Sequence, residues 1–293
     1  MLTPSIRPSI QRMRPLLGTF VSIRVPAGAT EAAQAKAASA IDLAFARIAE
    51  VQRCMSFQDP RSDLSRVNSH AHRAPQPVCA QLWRVLRAAL ALAKASDGRF
   101  DPSIAGTLVE WGLLPRPATP AGDRIDPRAS WRDVELRSGR RVRYAKPLWL
   151  DLGGIAKGYA VDQAVRVLQR QGLAAGIVNA GGDLRCFGAT ETIKVRDPAD
   201  PSQLLPLLQL RDAAAATSAG YFAEGPHTAL VHPGRGRSMG QGVSVTVCAP
   251  RAIWADALTK VVLASPARAA PLLARCGARA MLLHADGARR ALH

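Results

Sequence analysis

"DLGGIAKGYAVD" (151–162) sets an acid, two adjacent glycines, a lysine and a third glycine ahead of an apolar run. The pattern reads as a strand ending at Asp151, a reversal at Gly153 and Gly154 through torsions that other residues avoid, and a helix from Ile155 to about residue 171. Val161, Val165 and Leu168 fall on one stripe of that helix, and Gly172 is placed to cap its end. The free N–H groups of a helix start point at the turn before it, an arrangement that suits phosphate. Two familiar phosphate loops do not match. A Walker loop needs Lys then Ser or Thr after its second glycine, whereas Lys157 precedes Gly158 and Tyr159 follows; a Rossmann fingerprint needs glycine where Ile155 stands. On this stretch alone, phosphate binding and a purely structural strand-to-helix turn stand level.

Outward from the turn, hairpins and helices interleave. "DVELRSGRRVRYAKPLWLDLGG" (133–154) reads as a hairpin around Ser138-Gly139, and "AAGIVNAGGDLRCFG" (174–188) as strand, turn and strand. "GTFVSIRV" (18–25) alternates, with Val21, Ile23 and Val25 on one face, as a half-buried strand would. "ETIKVRDP" and "LLPLLQLR" (204–211) read as further strands, and the last residues as a hairpin. Helices are predicted over 31–55, with Ile41, Phe45, Ile48 and Val51 at helical spacing, and over 80–96, 253–265 and 267–276, the last carrying Pro271. This mixture predicts an α+β fold, helices packed against largely antiparallel sheet. One domain is expected over 1–293, with the Pro-rich loop 113–127 separating two lobes.

With 48% apolar residues the chain has ample core material, and its formal charge of +17 attracts anions. The arginines are scattered, with no run of five or six like charges and little aromatic interleaving, which favours a generally basic surface over a nucleic-acid groove. Cys54, Cys79, Cys186, Cys248 and Cys276 form no C-x-x-C pair and suggest neither zinc nor a disulfide framework. No stretch is long and apolar enough to span a bilayer, and the first residues show neither a signal peptide nor a lipidation cysteine. Read as it stands the protein is expected in the cytoplasm; export or membrane association would need a start upstream.

Several further stretches occur in a fixed order: "PLLGTFVSIRV" (15–25), "MSFQDPRSDLSRVN" (55–68), "DGRFDPSIAGTLVEWG" (97–112), "VNAGGDL" (178–184), "TSAGYF" (217–222) and "SVTVCAPRAIWADALTKVVL" (244–263). With the glycine turn, their order and approximate spacing resemble the ApbE-type FAD:protein FMN transferases from about residue 15 to 265. The resemblance implies that FAD is the substrate, that Mg2+ assists, and that FMN passes to a Ser or Thr hydroxyl of an acceptor flavoprotein with release of AMP. By position it implies FAD contacts at Leu17, Arg99, Phe100, Asp101, Asp151 and Lys157. It also implies one at Gln58, where the family carries an aromatic residue for which Phe57 could substitute. For the metal it implies the Gly154 carbonyl and Asp256.

Two departures stand out. The family places a threonine four residues after the metal aspartate, whereas here that position is Lys260, with Thr259 one place early. Asp256 and Lys260 could form an ordinary i, i+4 ion pair; the reading favoured here has Thr259 supply the metal oxygen and Lys260 reach the diphosphate, with a weakened or altered metal requirement. In "HTALVHPGRGR" (227–237), against His-x-x-Asp-Pro-x-Thr-Gly, Ala229, His232 and Arg235 replace the His, Asp and Thr. The catalytic candidates are therefore Asp256, Lys260 and His232, whose imidazole could act as a base or hydrogen-bond donor. The rival expectations are a metal-dependent FAD pyrophosphatase, in which water replaces the acceptor hydroxyl, and a non-catalytic flavin-binding paralogue.

Overall fold

The computed structural model describes residues 8–117, 124–220 and 225–293. The strands are β1 (Ser9–Leu16), β2 (Thr19–Pro26), β3 (Gln76–Pro77), β4 (Val134–Arg137), β5 (Arg141–Tyr144), β6 (Gly176–Ala180), β7 (Asp183–Phe187), β8 (Thr190–Arg196), β9 (Leu204–Arg211), β10 (Ala214–Ala219), β11 (Val231–His232), β12 (Arg237–Ser238), β13 (Val243–Ala249), β14 (Arg279–His284) and β15 (Arg289–Leu292). The helices are α1 (Glu31–Met55), α2 (Asp63–His70), α3 (Ala80–Ala95), α4 (Ala105–Glu110), α5 (Ala156–Arg170), α6 (Ala252–Ala264) and α7 (Pro266–Arg275). Eight strands form the main sheet in the order β1-β2-β6-β7-β10-β13-β14-β15. Every neighbouring pair in it is antiparallel, so the protein is α+β.

One face of the sheet carries the helices. Val21, Ile23 and Val25 of β2 are buried on the side the alternation predicts, in one core with Ile41, Phe45 and Ile48 of α1 and Val161, Val165 and Leu168 of α5. The opposite face meets the β8–β9 hairpin, where Leu184, Cys186 and Ala215 of the sheet pack against Ile193 and Leu210. Because successive side chains of a strand point to opposite faces, β7 serves both layers. Leu184 and Cys186 face the hairpin, while Asp183 and Arg185 reach Lys157 and Asp162 on α5.

The structure corrects several expectations. Asp151 does not end a strand; residues 145–154 lie outside any strand, and the hairpin is confined to β4 and β5. Its place is fixed instead by Asn68, whose buried side-chain amide both donates to the Leu150 carbonyl and accepts from the Leu150 N–H, at 2.9 Å each. Asp151 N–H itself donates to Pro102 O at 2.8 Å. Gly153 and Gly154 are not among the glycines with positive φ, so the reversal needs no torsion reserved for glycine. Between the predicted helices over 31–55 and 80–96 the structure adds α2, which Ser62 caps by accepting from Ser65 N–H at 2.9 Å. Residues 118–123 of the interlobe loop, and Tyr221 and Phe222 of the "TSAGYF" stretch, lie outside the described residues.

Candidate active site

The third glycine of the turn decides the geometry. A Cβ on Gly158 would sit 2.2 Å from the Ala252 carbonyl oxygen and 2.8 Å from Asp256 Cβ, so α5 and α6 touch there backbone to backbone. At that contact Gly158 N–H donates to Asp256 Oδ2 at 3.0 Å. One turn along α5, the fully buried Asp162 accepts from Ala252 N–H at 3.0 Å and Ile253 N–H at 3.2 Å, and so caps the start of α6 from a neighbouring helix. Arg185 Nη1 donates to the same carboxylate at 2.7 Å. These contacts hold Asp256 beside the glycine turn although 98 residues separate it from Gly158.

Above this contact opens a cleft of about 1430 Å³, larger than the cavities that hold drug-sized ligands. Leu17 and Gln58 line one end, with the backbone of Leu17 in the left-handed region (φ 58°) and its N–H bound to Gln52 Oε1 at 2.7 Å. Arg99, Phe100 and Asp101 line a wall, Asp101 being fixed by an Asx turn in which its Oδ1 accepts from Ser103 N–H at 2.7 Å. Asp151, Gly154, Lys157 and Lys260 are also in the lining. Lys194 and Arg196 of β8 are in the lining as well.

Two ammonium groups in the lining, Lys157 and Lys260, are each paired with a buried carboxylate. Lys157 forms an ion pair with Asp183, and Lys260 Nζ donates to Asp256 Oδ1 at 2.5 Å and to the Asp256 carbonyl at 3.0 Å. Burial works against the Lys157 ammonium, but the charges of Asp183 and Asp256 outweigh it and raise its pKa. Burial likewise pushes Asp256 up, yet Lys260 and Lys157 prevail and hold it below the usual carboxylate range. Asp183 moves the other way, raised by burial and then by the Asp256 charge. Burial also raises Asp151 and Asp101.

The remaining candidates lie elsewhere. Phe57 is half-buried and absent from the cleft lining. The aromatic surface comes instead from Trp111 and His227, stacked with centroids 4.2 Å apart, both in the lining. His232 lines a neighbouring cavity with Arg235 and Arg237, its Nδ1 2.7 Å from the Pro233 carbonyl. Thr259 is fully buried; its hydroxyl donates to the Asp256 carbonyl at 2.7 Å and is 2.7 Å from Ser218 Oγ. Asp183, Asp162 and Trp111 were given no binding or catalytic role from sequence. The "VNAGGDL" motif contains the first, and an acid closing the glycine-turn motif was the available signal for the second.

Magnesium needs oxygen donors free to turn toward it. Here Asp256 is fully buried with Oδ1 on Lys260 and Oδ2 on Gly158, and the Thr259 hydroxyl is spent inside the fold. No cluster of three or more His, Cys, Asp or Glu suited to a metal occurs among the described residues. An ammonium at the centre of the donor set cannot itself ligate a cation. The residues present do not fit the metal that the resemblance implies.

Fold and site together define a class: an α+β protein whose long cleft ends on two lysines held between buried carboxylates. The ApbE family model matches residues 17–282, and the chain belongs to the ApbE family. It is 28% identical over 274 residues to the FAD:protein FMN transferase of Treponema pallidum, covering 83% of this chain and 75% of that protein. It is 29% identical over 227 residues to the FAD:protein FMN transferase of Vibrio cholerae, covering 71% and 68%. The crystal structure of the ApbE protein from Thermotoga maritima superposes with a TM-score of 0.82 at 26% identity over 97% of each chain.

Proposed function

We propose that the protein is an FAD:protein FMN transferase. The observation that carries this reading is the pair of lysines, Lys157 and Lys260, brought from distant segments to the floor of one cleft in a chain whose relatives carry that name. FAD lies along the cleft with its diphosphate at the two ammonium groups. Arg99, Phe100 and Asp101 form one wall, and the Trp111–His227 pair offers a flat surface to a ring. The hydroxyl oxygen of a Ser or Thr in an acceptor flavoprotein attacks the FMN-side phosphorus and releases its proton to solvent, the bond from that phosphorus to the bridging oxygen breaks with its electron pair going to that oxygen, and AMP departs. Charge builds on phosphate oxygens during this displacement, so fixed cations and positioning supply most of the rate. Asp183 helps keep the Lys157 ammonium charged, and the ion pairs with Asp183 and Asp256 fix where the two lysines point. No step is assigned to magnesium or to His232.

No helix among the described residues is long and apolar enough to cross a membrane. Purified protein incubated with FAD and a threonine-bearing acceptor separates the readings. The transferase yields an acceptor that keeps its flavin fluorescence after denaturation, together with AMP. A pyrophosphatase would yield free FMN and AMP, and a flavin-binding paralogue unchanged FAD; either result would overturn the proposal.

A further inference from the structure

We propose that the Lys260 ammonium is the resident cation of this site, standing where a divalent metal would otherwise lie between Asp256, the glycine turn and the FAD diphosphate, so that transfer needs no added metal. The inference rests on the transferase reading for its chemistry and on the packing around Lys260 for its geometry.

Four observations support it. Lys260 Nζ makes two bonds to Asp256, one to the carboxylate at 2.5 Å and one to the carbonyl at 3.0 Å. An ammonium has three donors, which leaves one for an incoming phosphate oxygen. The lysine arm lies against the glycine turn: a Cβ on Gly154 would be 3.4 Å from Lys260 Cε and 3.5 Å from Phe100 Cε2. Although its side chain is only 16% exposed, Lys260 is in the cleft lining, whereas Asp256 beneath it is 0% exposed. Finally, Thr259 is locked between Asp256 and Ser218, so a shifted threonine does not restore the missing metal oxygen.

A metal could bind Asp256 only by displacing Lys260, which exchanges a made, largely buried ion pair for the dehydration of a small, strongly hydrated cation. The other charged groups facing this point are Asp151, Asp183 and Lys157. Lys157 is hydrogen-bonded to Asp183 and adds its charge to the field at Asp256, whereas Lys260 is the cation in direct contact with Asp256. As a point charge on phosphate it can neutralise the oxygens of the departing AMP without coordination chemistry.

The experiment titrates Mn2+ into the full chain, alone and with FAD, and follows free Mn2+ by electron paramagnetic resonance. In parallel, transfer to a threonine acceptor is timed in EDTA and in Mg2+. Wild type is expected to leave Mn2+ free, with the two rates agreeing within about twofold. Lys260→Thr is expected to bind one Mn2+ and to transfer only with metal. Lys260→Gln, offering neither charge nor hydroxyl, is expected to lose about 100-fold or more in either buffer. Uptake of one Mn2+ per wild-type chain, with transfer abolished by EDTA, would overturn the inference. Failure of transfer in every buffer would refute the transferase reading instead, and Mn2+ uptake by wild type would still decide the cation question.

Discussion

Among single residues, Gly158 and Gly154 of the central turn have different jobs. Gly158 is the one that cannot carry a side chain, because the atom in its way is the backbone carbonyl of Ala252. Gly158→Ala is expected to cost about 3 kcal/mol or more by forcing α5 from α6. Gly154→Ala meets only the flexible Lys260 arm and the Phe100 ring edge, and should change stability by no more than about 1 kcal/mol. Urea unfolding of both variants checks the contrast; equal losses would contradict it. The Lys260–Asp256 pair makes a pH prediction. Asp256 has a depressed pKa in the folded state, so the stability the pair contributes is present above the ordinary carboxylate range near pH 4 and is lost as pH falls through the lower folded value. Without Lys260 burial pushes the Asp256 carboxyl up, so the stability gap between wild type and Lys260→Met should be widest near neutrality and shrink as pH falls into the acid range. Denaturant midpoints across that range measure it, and a gap that widens in acid would be the wrong sign. Lys157, Asp256 and Lys260 were legible in the sequence because motif order marks them. The pairing of Lys157 with Asp183 was not, since 26 residues and a strand pairing separate them.

At the level of elements, the decisive join is the capping of α6 by a side chain from α5. Asp162 serves two backbone N–H groups and Arg185 from a position with no exposure. Its loss in Asp162→Ala leaves those donors and a largely buried guanidinium unpaired, with an expected cost of about 3–5 kcal/mol. Asp162→Asn retains an acceptor oxygen and should lose less. Thermal or denaturant unfolding ranks the two, and an Asn variant as damaged as the Ala one would show that charge alone matters there. Periodicity found the long helices α1, α3, α5 and α6 because each has a broad apolar stripe to bury. It missed α2 and α4, which are short and held by tertiary contacts, and β10, whose alanine-rich "AAATSA" has little strand propensity beyond Thr217 and is a strand because β7 and β13 pair with it. The close approach of two helices at a glycine left no local trace that distinguishes it from a phosphate turn.

For the whole molecule, the cleft is a meeting place of segments from the first strands to the sixth helix, with a field of +17 around it. Such a field draws in an anionic dinucleotide, and salt screens it over about 8 Å at physiological ionic strength. Raising ionic strength is expected to increase the KM for FAD several-fold while leaving kcat nearly constant, as steady-state kinetics at two salt concentrations would show; a fall in kcat alone would point away from steering. The α+β character and antiparallel pairing followed from hairpin spacing, whereas strand order and the burial of Asp256 under Lys260 depend on contacts across the fold that no local window contains. The central claim is that the turn and α6 present two lysines to one diphosphate. A crystal structure of the full chain with FAD tests this most directly. The account expects the diphosphate within hydrogen-bonding distance of both Lys157 Nζ and Lys260 Nζ; FAD seated in the cavity beside His232, or a diphosphate remote from both lysines, would contradict it.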